Sequence, residues 1–217
     1  MDIFYSDEHI AVAVKPYGAL SESDEKTPNM PDMLKEALGC DHVAAVHRLD
    51  RTTQGLMVYA LSHKAAQRLS SMAQAGEIEK TYLAVIEGAP EEDEGEMSDL
   101  LFYDRRKNKS YVVKRQRKGV KEARLRYRTL CTVRYEDMDI SLIEVTLFTG
   151  RTHQIRVQFA SRKMPLAGDR RYGSGVVCDE IMLCSSRLSF DHPISGEKLS
   201  FEFKPDNGLF ALFDTKL

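Results

Sequence analysis

Short runs of apolar residues, some alternating with polar ones and some continuous, recur along the whole chain and predict many brief strands. DIFY and HIAVAVKP read as two strands joined by a turn at SDE, with Pro16 and Gly18 ending the second. The polar segment from Ser21 to Pro31 reads as a loop, and Asp32 to Leu38 as a short helix that stops near Gly39. GLMVYAL, Gly55 to Leu61, is nearly unbroken in its apolar character, the pattern of a buried strand. Ser62 is placed to cap a helix running to about Gln74, whose Ala65, Leu69 and Met72 recur at i, i+4 and i+7. TYLAVIEG predicts another strand. SYVVKRQ and ARLRYRTL, separated by KGVK, predict a two-stranded ribbon turning at Gly119. DISLIEVTLF is a long strand, RTHQIRVQFASRK a helix capped by Thr149 or Thr152, and IMLCSSRLSF and KLSFEF are the last strands. Many antiparallel-looking strands with two or three helices predict an α+β fold: a mixed, largely antiparallel sheet with a few flanking helices.

Composition narrows the setting. At 217 residues and 42% hydrophobic, the chain can build a sizeable core as one domain spanning 1–217, with room for two lobes. No apolar run approaches the roughly 20 residues of a membrane span, and MDIFYSDEHI lacks the basic start and apolar stretch of a signal peptide. A soluble, cytoplasmic protein with no membrane partner is expected. Cys40, Cys131, Cys178 and Cys184 form no C-x-x-C pair and read as reduced structural thiols.

The net charge of -2 hides an asymmetry. Arg105 to Arg128 holds twelve Lys/Arg and one acid, Glu122, a local +11, directly after the acidic run Glu91 to Glu96. A basic island on an acidic chain predicts a localised polyanion site. The acidic run itself marks a possible boundary between lobes.

Two polar clusters interrupt apolar surroundings: HRLDRTTQG, His47 to Gly55, and TGRTHQIRVQFA, Thr149 to Ala160. Element ends of this kind are where active-site residues sit. Taken singly, each residue has a plainer reading. Asp50 before Thr-Thr-Gln-Gly suits an Asx-turn, Arg156 a solvated helix face, and His153 a satisfied hydrogen-bonding role.

Taken together, five segments in order resemble the RluA-type family of pseudouridine synthases. They are SDEHIAVAVKPYG, HRLDRTTQGLMVYA, EKTYLAVIEG, TGRTHQIRVQFA with MPLAGDRRYG, and RLSFDHPISGEKLSFE. The resemblance implies the pseudouridine synthase catalytic fold with a central RNA-binding cleft. It implies Asp50 as nucleophile, Tyr82 as the active-site tyrosine and Arg156 as the cation partnering Asp50. Arg48 matches the residue associated with the flipped-out base. The chain departs from the family at Gln54, where Ser is common, at Gln158, where His is often found, and at Cys184-Ser185, near which a His-Ala pair is usual. The chain starts at the opening hairpin, so the N-terminal RNA-binding domain of some members is expected to be absent.

The implied reaction detaches uracil from C1′ and rejoins it through C5. It gains no atoms, so no cofactor or metal is expected. A carboxylate nucleophile suffices, and Arg suits its partner role because the guanidinium binds carboxylates bidentately and stays charged. Tyr82 can stack on uracil and help remove the C5 proton. On the helix, Thr152, His153 and Arg156 are expected to share one side, with Ile155 and Phe159 on another. The expected RNA contacts are Arg48, Arg151, His153, Arg105, Arg106, Lys114, Arg115, Arg117 and Lys118, on ribosomal or transfer RNA with a lean to ribosomal. A monomer without an obligatory protein partner is expected. The alternatives are an inactive RNA-binding relic of the fold, or a metal-dependent RNA hydrolase using His47, Asp50 and His153, for which no ligand spacing speaks.

Overall fold

A computed structural model describes residues 1–216. Its strands, in chain order, are β1 (Ile3–Ser6), β2 (Ile10–Lys15), β3 (Ala44–Ala45), β4 (Gln54–Ala60), β5 (Glu79–Glu87), β6 (Glu94–Asp104), β7 (Lys109–Val113), β8 (Val120–Tyr135), β9 (Met138–Leu147), β10 (Leu183–Asp191) and β11 (Lys198–Glu202). The helices are α1 (Met30–Leu38), α2 (His63–Ala75) and α3 (Gln154–Ser161). The fold is mixed α+β with largely antiparallel pairing, as the apolar pattern predicts. The chain divides into two compact units, residues 1–80 with 184–204, and residues 81–183 with those from 205 on.

In the first unit, β2 lies antiparallel between β1 and β4, β3 also pairs β4, and β11 pairs β10. β4 joins β10 by a short parallel stretch, Cys184 opposite Gln54 and Ser185 opposite Gly55. All seven residues of β4 are buried, which explains its unbroken apolar run. Ile10, Val12 and Val14 of β2 meet Leu56 and Val58 of β4, Ala65 and Leu69 of α2, and Leu188 and Phe190 of β10 in one apolar cluster. Helix α2 starts where the sequence predicts: Ser62 Oγ accepts from Ala65 N at 3.3 Å, and Gly76 ends the helix in the left-handed region. Helix α1 begins slightly earlier than expected, with Asn29 Oδ1 accepting from Asp32 N at 3.0 Å.

In the second unit the strand order is β5-β9-β8-β6-β7. This corrects the expected basic ribbon. β7 and β8 do not pair; they flank β6 from opposite sides. The tight turn joins β6 to β7 through residues 105–108, whereas 114–119 crosses between the outer two strands. The acidic run is not a boundary but opens β6, a strand that takes the place between the two expected partners. Glu94 and Glu96 stand beside the basic face of β8, where Arg124 reaches Glu96 and Arg126 reaches Glu94, each at 3.6 Å. Across β9, Arg128 pairs with Glu144 at 3.0 Å. β7 itself carries one cation, Lys109, and follows β6 directly as the second strand of a hairpin.

Helix α3 also differs from expectation. Neither Thr149 nor Thr152 caps it; His153 occupies the N-cap position in the left-handed region at φ 58, without a side-chain cap bond. Residues 154–159 are all buried. Arg156 is thus buried like Ile155 and Phe159, and exposure returns only at the end of the helix, at Ser161.

Candidate active site

Asp50 lies just before β4 and opens a tight turn in which Thr53 N donates to Asp50 O at 2.9 Å. The turn is clamped from the opening segment of the chain. Lys15 Nζ, fully buried, donates to the carbonyls of Pro16 at 3.0 Å, Ala19 at 2.8 Å and Arg51 at 3.3 Å. Gly18 N donates to Arg51 O at 2.9 Å, and Arg51 Nε returns a bond to Gly18 O at 3.0 Å. Ser21 Oγ donates to Leu49 O and accepts from Leu49 N, at 2.9 and 3.0 Å. Asp50 is thus held between anchored neighbours on both sides. Burial lowers the Lys15 pKa to about 8, and the attraction of Asp50 opposes that shift.

The residues around Asp50 sort by direction. Leu49 is buried and Arg48 exposed, available to RNA. His47 turns inward, its Nε2 accepting from Val58 N at 3.2 Å, so its proton sits on Nδ1. Burial, with a contribution from the Lys80 charge, holds His47 well below its ordinary pKa, so it is neutral. Lys80 is itself lowered to about 8 by burial. After the turn, Gly55 has φ 119, and a Cβ there would collide with the backbone of Ser185. Only glycine lets β4 and β10 approach so closely. Two departures from the family pattern, Gln54 and Cys184, are register partners in this same pairing. They form one local change rather than two.

The second unit holds Tyr82 and Arg156. Tyr82 is buried in β5, opposite Val145 of β9. Arg156 is 4% exposed and binds Asp169 bidentately: Nε donates to Oδ2 at 2.6 Å and Nη2 to Oδ1 at 2.9 Å. Its guanidinium carbon stands 5.1 Å from the centre of the Tyr172 ring. The Tyr172 hydroxyl accepts from Ser110 N at 2.8 Å and meets His153 Nδ1 at 3.0 Å. Burial above all pushes that hydroxyl up to about 12, so it keeps its proton. The loop before α3 is set by Gln154. Its Oε1 accepts from Thr149 Oγ1 at 2.8 Å and Arg151 N at 3.0 Å, and its Nε2 donates to Arg124 O at 3.0 Å. The third family departure, Gln158, donates to Asp99 Oδ2 at 2.7 Å.

Among the expected RNA contacts, Arg105, Arg106, Lys114, Arg115, Arg117 and Lys118 are exposed, while Arg151 is half-buried with its Nε on Glu122 O at 2.9 Å. His153 is 8% exposed and bound to Tyr172, which makes it a poor surface contact. Lys15, Gln154, Asp169 and Tyr172 do not stand out in the sequence. Lys15 lies in the Lys-Pro-x-Gly segment and Asp169 and Tyr172 in the Gly-Asp-x-x-Tyr-Gly segment, so the motifs are visible there while the roles are not.

Fold comparison defines the class. The solved structure of Human RNA Pseudouridylate Synthase Domain Containing 1 shares this fold, with a TM-score of 0.79 over 95% of this chain and 84% of that one, at 21% identity. Sequence comparison narrows it. The family described as RNA pseudouridylate synthase matches residues 9–161. An uncharacterized RNA pseudouridine synthase of Aquifex aeolicus is 35% identical, over 94% of this chain and 69% of that protein. The tRNA pseudouridine synthase C of Yersinia pestis is 31% identical, over 98% of this chain and 91% of that protein. The chain belongs to the RNA pseudouridylate synthase family, and it is an enzyme that isomerises uridine in RNA.

Proposed function

We propose that this enzyme converts a specific uridine of transfer RNA to pseudouridine, with Asp50 as the nucleophile. The observation that carries the residue assignment is the clamped turn. A nucleophile that must meet one flipped nucleotide benefits from a fixed backbone, and three separate anchors fix this one. The transfer RNA reading rests on the names of relatives, among them the tRNA pseudouridine synthase C enzymes of Yersinia pestis and Vibrio cholerae, both 31% identical. It replaces the lean to ribosomal RNA drawn from sequence alone.

In this reading the target base leaves its stack at a cost of a few kcal/mol, with Arg48 holding the gap. Asp50 engages the nucleotide covalently while the N1–C1′ bond breaks. The uracil turns, C5 bonds to C1′, the bond to Asp50 breaks and frees its carboxylate, the C5 proton departs with help from Tyr82, and N1 gains a proton. The atom count is unchanged. Arg156 supplies the cation that keeps the Asp50 carboxylate ionised and oriented. The whole of 1–217 acts as one catalytic domain, in the cytoplasm, as a monomer.

Asp50→Asn should abolish tritium release from C5-labelled uridine RNA while RNA affinity is retained, because the amide keeps the shape but not the nucleophilicity. Substantial remaining turnover would remove Asp50 from this role. Pseudouridine mapping in cells with and without the gene reads the substrate. A site lost from ribosomal RNA, with transfer RNA unchanged, would overturn the transfer RNA assignment.

A further inference from the structure

Arg156 has a role in the proposed chemistry, but the carboxylate that grips it has none. Asp169 is fully buried, and both its oxygens face Arg156. Exchange of a buried ion pair for apolar residues is often neutral or stabilising, so such a pair is weak evidence for stability. It does remove freedom from a long side chain. A guanidinium gripped along its Nε and Nη2 edge can turn neither about its own plane nor along the helix.

The turn carrying Asp169 is itself built rigidly. Gly168 has φ +80, and a Cβ there would collide with the Glu180 carbonyl, so no other residue fits. Gly168 N donates to Ser174 Oγ at 3.0 Å, and Ser174 Oγ donates to Glu87 Oε1 at 2.5 Å. Val176 N donates to the same Glu87 oxygen at 2.9 Å. The carboxylate at the end of β5 therefore ties down both sides of the turn. The same turn lays the Tyr172 ring against the guanidinium, and the ring is pinned by Ser110 of β7. Arg156 is constrained on one edge by Asp169 and on one face by Tyr172.

We infer that Asp169 is a positioning residue for the reaction: it fixes the guanidinium of Arg156 in the one orientation that its proposed role requires. The inference rests on the role proposed above for Arg156. A displacement of about 1 Å in a catalytic group can cost about 100-fold in rate, so loss of this grip is expected to act on the chemical step.

The test is a mutant cycle read by single-turnover tritium release at saturating RNA, alongside RNA affinity and thermal stability. Asp169→Asn should slow the chemical step by about 10- to 100-fold with RNA affinity unchanged. Arg156→Lys retains a charge that cannot be gripped bidentately, so adding Asp169→Asn in that background should slow it by less than about threefold. An equal factor in both backgrounds would show that Asp169 acts on the fold rather than through Arg156, and would overturn the inference. Should Asp169→Asn not fold, Asp169→Glu keeps the charge and moves it by one methylene. A folded Asp169→Glu enzyme is expected to be slow, and a wild-type rate would equally overturn the inference. Arg156→Leu separates the two readings. Near-normal turnover in that variant removes Arg156 from the chemistry, whereas an inactive Arg156→Leu beside a fully active Asp169→Asn sinks only the positioning role.

Discussion

Lys15 shows how much one side chain contributes to the setting of the nucleophile. It ends a buried strand, where a charged group is costly unless hydrogen-bonded, and it satisfies three carbonyls from two segments of chain. Its pKa of about 8 has a consequence for stability. In the unfolded chain a lysine holds its proton to about 10.4, so between these values the unfolded state binds more protons. Stability contributed by this group therefore rises with pH across that window. Lys15→Met lacks this proton linkage. Urea denaturation should show the stability gap between wild type and Lys15→Met widening from pH 8 to pH 10. A gap that stays constant over that range would mean that Lys15 titrates as an ordinary lysine. Opposing contributions from the buried thiol of Cys184, whose pKa burial raises, are common to both proteins and cancel in the difference.

At the scale of elements, charge on β8 is matched by the strands beside it. β8 carries Arg124, Arg126 and Arg128 in alternation, and each finds a carboxylate on a neighbouring strand. Exposed pairs of this kind contribute little stability singly, but they occupy cations that the sequence alone assigns to RNA. Exposed cations that no carboxylate is seen to occupy include those on the two connections, Arg105 to Lys107 and Lys114 to Lys118. Arg117 lies with its guanidinium carbon 4.8 Å from the Phe102 ring, which seats the second connection against β6. Reversing Lys114, Arg115, Arg117 and Lys118 to Glu should weaken RNA binding. The slope of log affinity against log salt should become shallower by about 0.7 to 0.9 for each phosphate that is no longer neutralised. Turnover of saturating RNA should change much less, since none of the four belongs to the catalytic set. Unchanged affinity and slope in a salt titration would make this connection a solvated surface.

Over the whole molecule, a net charge of -2 and a pI near 6.3 sit beside an RNA substrate. Overall charge is therefore a poor guide to the partner, and the distribution of cations carries the information. No helix among the described residues is long and apolar enough to cross a membrane. The reaction leaves the composition of the nucleotide unchanged, and the mechanism proposed above asks for a carboxylate, a cation and a dry pocket. Turnover on a prefolded RNA is accordingly expected to survive exhaustive EDTA treatment. Activity that is lost with EDTA and returns with one added divalent metal, while the RNA stays folded, would require a metal step that Asp50 chemistry does not contain.

The sequence by itself determined the family and most of the elements, though not β6, which opens in the acidic run. Periodicity and caps are local properties, so β4, α2 and α1 lie close to where their patterns place them, and the family is legible because its motifs are contiguous. Pairing is not local. β7 and β8 both pair with β6, a strand that opens in a segment that reads as a boundary, so the ribbon expected between them does not form. The same holds within the site. Lys15 stands 36 positions before Arg51 yet belongs to its turn, and Asp169 reaches Arg156 from 13 residues further along the chain. Helix spacing cannot show that residues 154–159 of α3 are all buried, since burial is set by what packs against them. Tertiary structure alone decided which buried charges found partners, because a buried ion is tolerated only where distant segments bring it opposite charge or hydrogen-bond acceptors.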